Sequence, residues 1–247
     1  MTRALLAAAL VLAASAARPA RAGELSLNAE ELQIYSPAVT KGERELEWRG
    51  FATGGRQTGQ ALSLGWSPTS WWATEGYAVL HRDPGGPWLG DSVVVENRFA
   101  LAPAGELWAD PGAIAEVELP LHAGDPGAAS VHALLEKQAG PLVLTLNLPF
   151  EWKFGSNYVP GTGLSYAARA EWLVSEKASP ALEAFGEPGV IGNFDPLREQ
   201  EHLLGPALYG ALRGFGRGVL RWSAAPLIGL TPLSPRWTLV TRLELEF

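Results

Sequence analysis

The chain has 247 residues, no cysteine and a formal charge of −7. Disulfide staples, thiol chemistry and thiolate metal sites are therefore excluded, and so acidic a chain is a poor partner for nucleic acid or an anionic membrane surface. A hydrophobic content of 47% with 28 Gly, 19 Pro and 10 Trp points to strands punctuated by turns, at a length that suits one domain.

Met1 to Ala22 combines a basic start at Arg3, an apolar run from Ala4 to Ala17 and small residues before Ala20-Arg21-Ala22. That is the layout of a cleaved signal peptide, leaving Gly23 as the mature start. Loss of Arg3, Arg18 and Arg21 moves the formal charge to −10. The apolar run is too short to span a bilayer core of ~30 Å. No later run of eighteen or more apolar residues follows, so a helical membrane protein is excluded. Residues 23–43 lack clear periodicity, contain Pro37, and are expected to form a periplasmic lead-in.

From Arg44 the chain reads as alternating segments between Gly, Pro, Asp and Ser clusters. The predicted strands are 44–53, 57–66, 71–82, 92–102, 106–121, 129–138, 141–154, 161–174, 180–192, 202–213, 217–231 and 236–247. Alternation is cleanest where Leu142, Leu144, Leu146 and Leu148 oppose Val143, Thr145, Asn147 and Glu151. It is equally regular at the end, where Trp237, Leu239, Thr241, Leu243, Leu245 and Phe247 oppose Thr238, Val240, Arg242, Glu244 and Glu246. In a soluble sandwich the apolar face would be the core. In a membrane barrel the pattern inverts, with apolar residues facing lipid and polar ones the lumen.

Periodicity does not separate these two, but the export signal and the pattern of connections favour the barrel. Short turns are predicted at 67–69, 103–105, 139–140, 175–179 and 214–216, and mostly longer loops at 83–90, 122–128, 155–160 and 193–201. Short periplasmic turns with longer outer loops are the usual arrangement. The expected fold is thus an all-β, closed, antiparallel up-and-down transmembrane β-barrel of about twelve strands. Its termini are expected to be periplasmic, and its barrel to cover 44–247.

Thirteen charged residues fall on predicted inward positions: Glu45, Glu47, Arg49, Glu96, Arg98, Glu116, Glu118, Glu151, Arg169, Glu171, Arg242, Glu244 and Glu246. Interleaved on neighbouring strands, they would either lock into ion-pair ladders that plug the barrel or line a charged passage for small solutes. His81, His122, His132 and His202 show no ligand spacing, and with no cysteine and only the initiator Met, neither a metal nor another cofactor is expected. Ser130 and His132 share a strand face, but no glycine-flanked nucleophile motif accompanies them, so a chance pair and no catalytic residue is expected. Asn193–His202 is charged and amide-rich and is expected to be a solvated loop turned at Asp195-Pro196.

Several phrases carry a resemblance. They are Ile34–Val39, Lys41–Gly50, Val95–Phe99, Gly105–Trp108, Leu182–Glu187, Phe194–Pro196 with Glu199–His202, and Gly229–Thr231. Together they make the chain similar to a family of uncharacterised proteobacterial outer-membrane barrels, porin-like or transporter-like. The last strand also resembles the closing strand of bacterial outer-membrane barrels. That resemblance implies an assembly signal at Leu243, Leu245 and Phe247, read by the outer-membrane assembly machinery. The surroundings it implies are outer-membrane lipid and lipopolysaccharide.

The function expected is a narrow, charged pore or transporter for a small solute rather than an enzyme. A plugged barrel with a structural or partner-docking role is the alternative, and a lipid-modifying enzyme the third.

Overall fold

The structure, a computed structural model, describes residues 31–55, 57–158, 160–215 and 218–247. The expected signal peptide, 1–22, lies outside them. The strands are β1 (Arg44–Thr53), β2 (Thr58–Trp66), β3 (Trp72–Arg82), β4 (Leu89–Ala100), β5 (Asp110–Pro120), β6 (Gly127–Ala139) and β7 (Leu142–Phe154). They continue as β8 (Gly163–Trp172), β9 (Ser179–Val190), β10 (Asn193–Phe194), β11 (Glu201–Phe215), β12 (Gly218–Gly229) and β13 (Trp237–Glu246).

Each long strand pairs antiparallel with its neighbours in sequence, β9 pairs with both β8 and β11, and β13 returns to β1. The result is a closed barrel of twelve long strands, with β10 a two-residue stub on β9. Closure leaves no row of unpaired backbone N–H and C=O groups, which in an apolar medium would cost several kcal/mol each. Among the described residues no helix is long and apolar enough to cross a membrane.

The two faces of the wall are inverted relative to a soluble protein. Outward positions carry Leu62, Leu64 and Val95 at 54%, 55% and 51% exposure, whereas inward Glu47 and Glu96 are at 1% and 2%. Strand alternation produces this from sequence, as where outward Leu62 and Leu64 alternate with inward Ala61 and Ser63. Aromatics ring both ends of the outer surface. Trp66, Trp71 and Trp172 stand near the end that holds the carboxyl terminus, and Trp88, Trp152 and Trp237 near the opposite end.

Two sequence expectations change. The strand expected over 106–121 begins only at Asp110, and 101–109 forms a connection closed by Leu101 N–H bonding the Pro111 carbonyl. Asp110 also accepts from the Gly105 N–H, so Pro103 and a glycine at φ 76° turn the chain where Leu107 and Trp108 look strand-like. The second change concerns the segment before β1. Expected outside the barrel as a lead-in over 23–43, its described part from Glu31 to Thr40 runs inward, with Leu32, Ile34, Tyr35 and Pro37 buried among the strands. Apolar side chains and a buried backbone explain this, because the segment finds partners in the lumen that it would lack outside.

Candidate functional site in the barrel lumen

The register places all thirteen predicted inward residues on the inner face. At the closing seam it sets like against like. Glu45 faces Glu246, Glu47 faces Glu244 and Arg49 faces Arg242. Directly opposed like charges repel, so the side chains across the backbone ladder pair diagonally or along their own strand instead. Arg242 reaches Glu47 at 2.5 Å and Glu244 at 2.6 Å, while Arg49 reaches Glu47 at 2.5 Å and Glu75 at 2.7 Å. The guanidinium of Arg49 also lies 4.7 Å from the centre of the Tyr77 ring. One continuous ladder of buried ions thus joins β13, β1 and β3.

A row of carboxylates runs across the next strands, Glu75 facing Glu96 and Glu96 facing Glu116. Hydroxyls cap it. Tyr77 donates to Glu116 at 2.6 Å, Ser130 donates to the same carboxylate at 3.2 Å, and Tyr35 hydrogen-bonds Glu96. On the far wall Arg169 lies 3.5 Å from Glu171 and 3.9 Å from Glu136, over the Tyr209 ring, and Tyr209 donates to Glu183. Glu118 and Glu151 sit nearer the opposite mouth, where Lys153 reaches Glu151 at 3.3 Å.

The amino-terminal segment is built into this wall. Asn147 on β7 accepts the Tyr35 N–H at 2.6 Å and donates to the Tyr35 carbonyl at 2.9 Å. Its amide thereby takes the place that a neighbouring strand would fill. Ser36 donates to Glu136 at 3.1 Å, Arg49 to the Tyr35 hydroxyl at 3.3 Å, and Arg98 reaches the Ser36 carbonyl at 3.5 Å. A Cβ placed on Gly112 of β5 would stand 2.6 Å from Pro37 Cβ, so glycine there makes the room that Pro37 occupies.

Leu32 and Ile34 complete an apolar layer across the lumen with Phe51, Tyr77, Val79, Val94, Phe185, Leu203 and Leu227. On the terminus side of this layer lies a cavity of about 680 Å³, walled by Glu45, Arg98, Arg169, Glu171, Arg242, Glu244 and the segment itself. At its rim Arg213 bonds Glu176 and holds that carboxyl below its ordinary range. Burial, and then neighbouring Glu246, push the Glu43 carboxyl up.

Other features resolve more simply. Glu43, Glu244 and Glu246 bring carboxylate oxygens within 4.8 Å of one another, but Arg242 and Arg221 already face two of the three. Ser130 and His132, expected to be a chance pair, are hydrogen-bonded at 2.8 Å. The nearby carboxylate of Glu116 contacts the serine, however, and His132 Nδ1 has no hydrogen-bond partner. Acyl-transfer triads place the carboxylate on the imidazole instead, so the pair lacks the group that would orient its base. His81 pairs with Asp91 and His202 with Tyr166 and Gln200, away from each other. Residues 193–199 are exposed, with Gln200 donating to the Asp195 carbonyl at 2.6 Å, and form a surface loop. Leu243 and Phe247 lie exposed on the outer face, and the Phe247 backbone pairs with Arg44.

Sequence reasoning missed Glu75, Glu183, Tyr77 and Tyr209, whose strands are mixed on both faces, and it missed Tyr35 altogether. The alternation of Leu32 and Ile34 around Gln33 was the available signal.

The molecule is therefore an all-β, up-and-down barrel with a charged interior. No family model and no curated protein sequence matches it. Among solved structures it is similar in fold to a NanC porin, with a TM-score of 0.56, 10% identity, and coverage of 82% of this chain and 98% of that one. It is also similar to a KdgM porin in complex with disordered oligogalacturonate, with a TM-score of 0.55, 7% identity and the same coverage.

Proposed function

We propose that this chain is an outer-membrane barrel of porin type that passes or binds a small solute through its charged lumen. The inversion of the wall carries the reading: exposed Leu and Val outside, buried Glu and Arg inside, in a sheet without an edge. Such a surface is soluble only against lipid or detergent, and the aromatic rings at both ends suit the two membrane interfaces. The fold shared with the KdgM and NanC porins supports the same reading. The solute named with KdgM is not carried over. Oligogalacturonate is an anion by its name, whereas the inner face here bears nine of the named glutamates against four arginines.

The test is extraction and reconstitution. The purified chain should need detergent, migrate faster unboiled than boiled, and give stepwise conductance in planar bilayers. A protein that stays monomeric and soluble without detergent contradicts the reading.

The ion ladder and the apolar layer around Leu32 and Ile34 favour a second reading, a filled barrel with a structural or docking role. It predicts the heat-dependent shift with no conductance under any condition.

A further inference from the structure

We infer that the lumen wall contains a binding site for an extended peptide strand, and that the chain's own residues 31–40 occupy it as a removable closing segment. The inference rests on the pore reading above and deepens it.

Three features mark a built site rather than chance filling. The Asn147 amide pairs with both backbone groups of Tyr35, a contact that reads main chain and orientation. The bare face of Gly112 receives Pro37. The Tyr35 hydroxyl bridges Arg49 and Glu96, linking the segment to both the ion ladder and the carboxylate row. Around these anchors Leu32 and Ile34 fill an apolar level of a largely charged interior.

The attachment can come apart without breaking the sheet. Its contacts join the segment to the wall through side chains, whereas the wall's own strands are joined by continuous backbone ladders. Departure of the segment would leave the closed barrel intact and uncover Glu96 beside Glu75 and Glu116. A row of carboxylates on the wall of an open lumen attracts cations. The opened lumen therefore takes small cations or cationic solutes.

The experiment compares three full-length proteins in planar bilayers bathed in potassium chloride: the intact chain, one with residues 31–40 replaced by a Gly-Ser stretch of equal length, and Asn147→Leu. The intact chain is expected to stay mostly closed. The replaced chain should conduct steadily with a reversal potential favouring potassium, and a synthetic peptide of residues 31–40 should block it from one side. Asn147→Leu should raise open time about tenfold, as two lost hydrogen bonds predict. Equal conductance in the intact and replaced chains would overturn the closing segment and leave the pore reading standing. Silence of both, in proteins that keep their heat-dependent shift, would overturn both. Should the replaced chain fail to fold, Asn147→Leu decides alone, and unchanged open time overturns the inference.

Discussion

Arg242 holds two carboxylates at once, Glu47 at 2.5 Å and Glu244 at 2.6 Å, where the register would otherwise set acid against acid. Replacing it with methionine keeps the stem and strips both partners. Uncompensated buried charge of this kind costs about 3–5 kcal/mol. Arg242→Met should therefore lose about that much in denaturant unfolding from detergent micelles, and a loss under about 1 kcal/mol would show the ladder to be solvated. Arg221 pairs with Glu246 at the mouth with its side chain 55% exposed, so Arg221→Gln should change stability by no more than about 1 kcal/mol. Which charges line the interior was legible, because alternation alone assigns Glu47, Arg49 and Glu244 to one face. Their pairing was not. It depends on the register between β1 and β13, which are at opposite ends of the sequence, and on a diagonal reach that no local pattern encodes.

Individual strands were legible to within a few residues wherever apolar and polar positions alternate, as in β1 and β7. The errors fall where short-range pattern and chain reversal compete. Glu106–Ala109 has strand-like residues, yet Asp110 and Gly105 tie them into a turn, leaving Trp108 on the surface with Lys137 5.6 Å from its ring. Residues 31–40 escaped for a different reason. A segment held by the side chain of Asn147 instead of a neighbouring strand needs no sustained period. Two element-scale outcomes follow. Leu62→Arg places a charge in the middle of β2 on the outer face, where lipid should impose a cost of about 2–4 kcal/mol on folding into bilayers. Gly112→Val should expel Pro37, because the added Cβ alone would stand 2.6 Å from it, and proteinase K should then cleave within residues 32–40. Persistent protection of that stretch in Gly112→Val would contradict the docking of the segment.

At the scale of the whole molecule, one physical decision organises everything else. The wall presents its apolar residues outward and its charges inward, so the surrounding medium replaces the usual core. The amino-terminal segment, the ion ladder and the carboxylate row all exist to settle an interior that a barrel this size leaves to be filled. The chain's lack of cysteine allows a direct test, since a single introduced cysteine carries a nitroxide label without interference. Labels placed one at a time from Gln60 to Trp66 in liposome-reconstituted protein report access to lipid-dissolved oxygen. Access should alternate with a period of two, high at Leu62, Leu64 and Trp66 and low at Ala61 and Ser63. Uniform access to a water-soluble relaxant along that stretch, with no preference for oxygen, would contradict the membrane barrel.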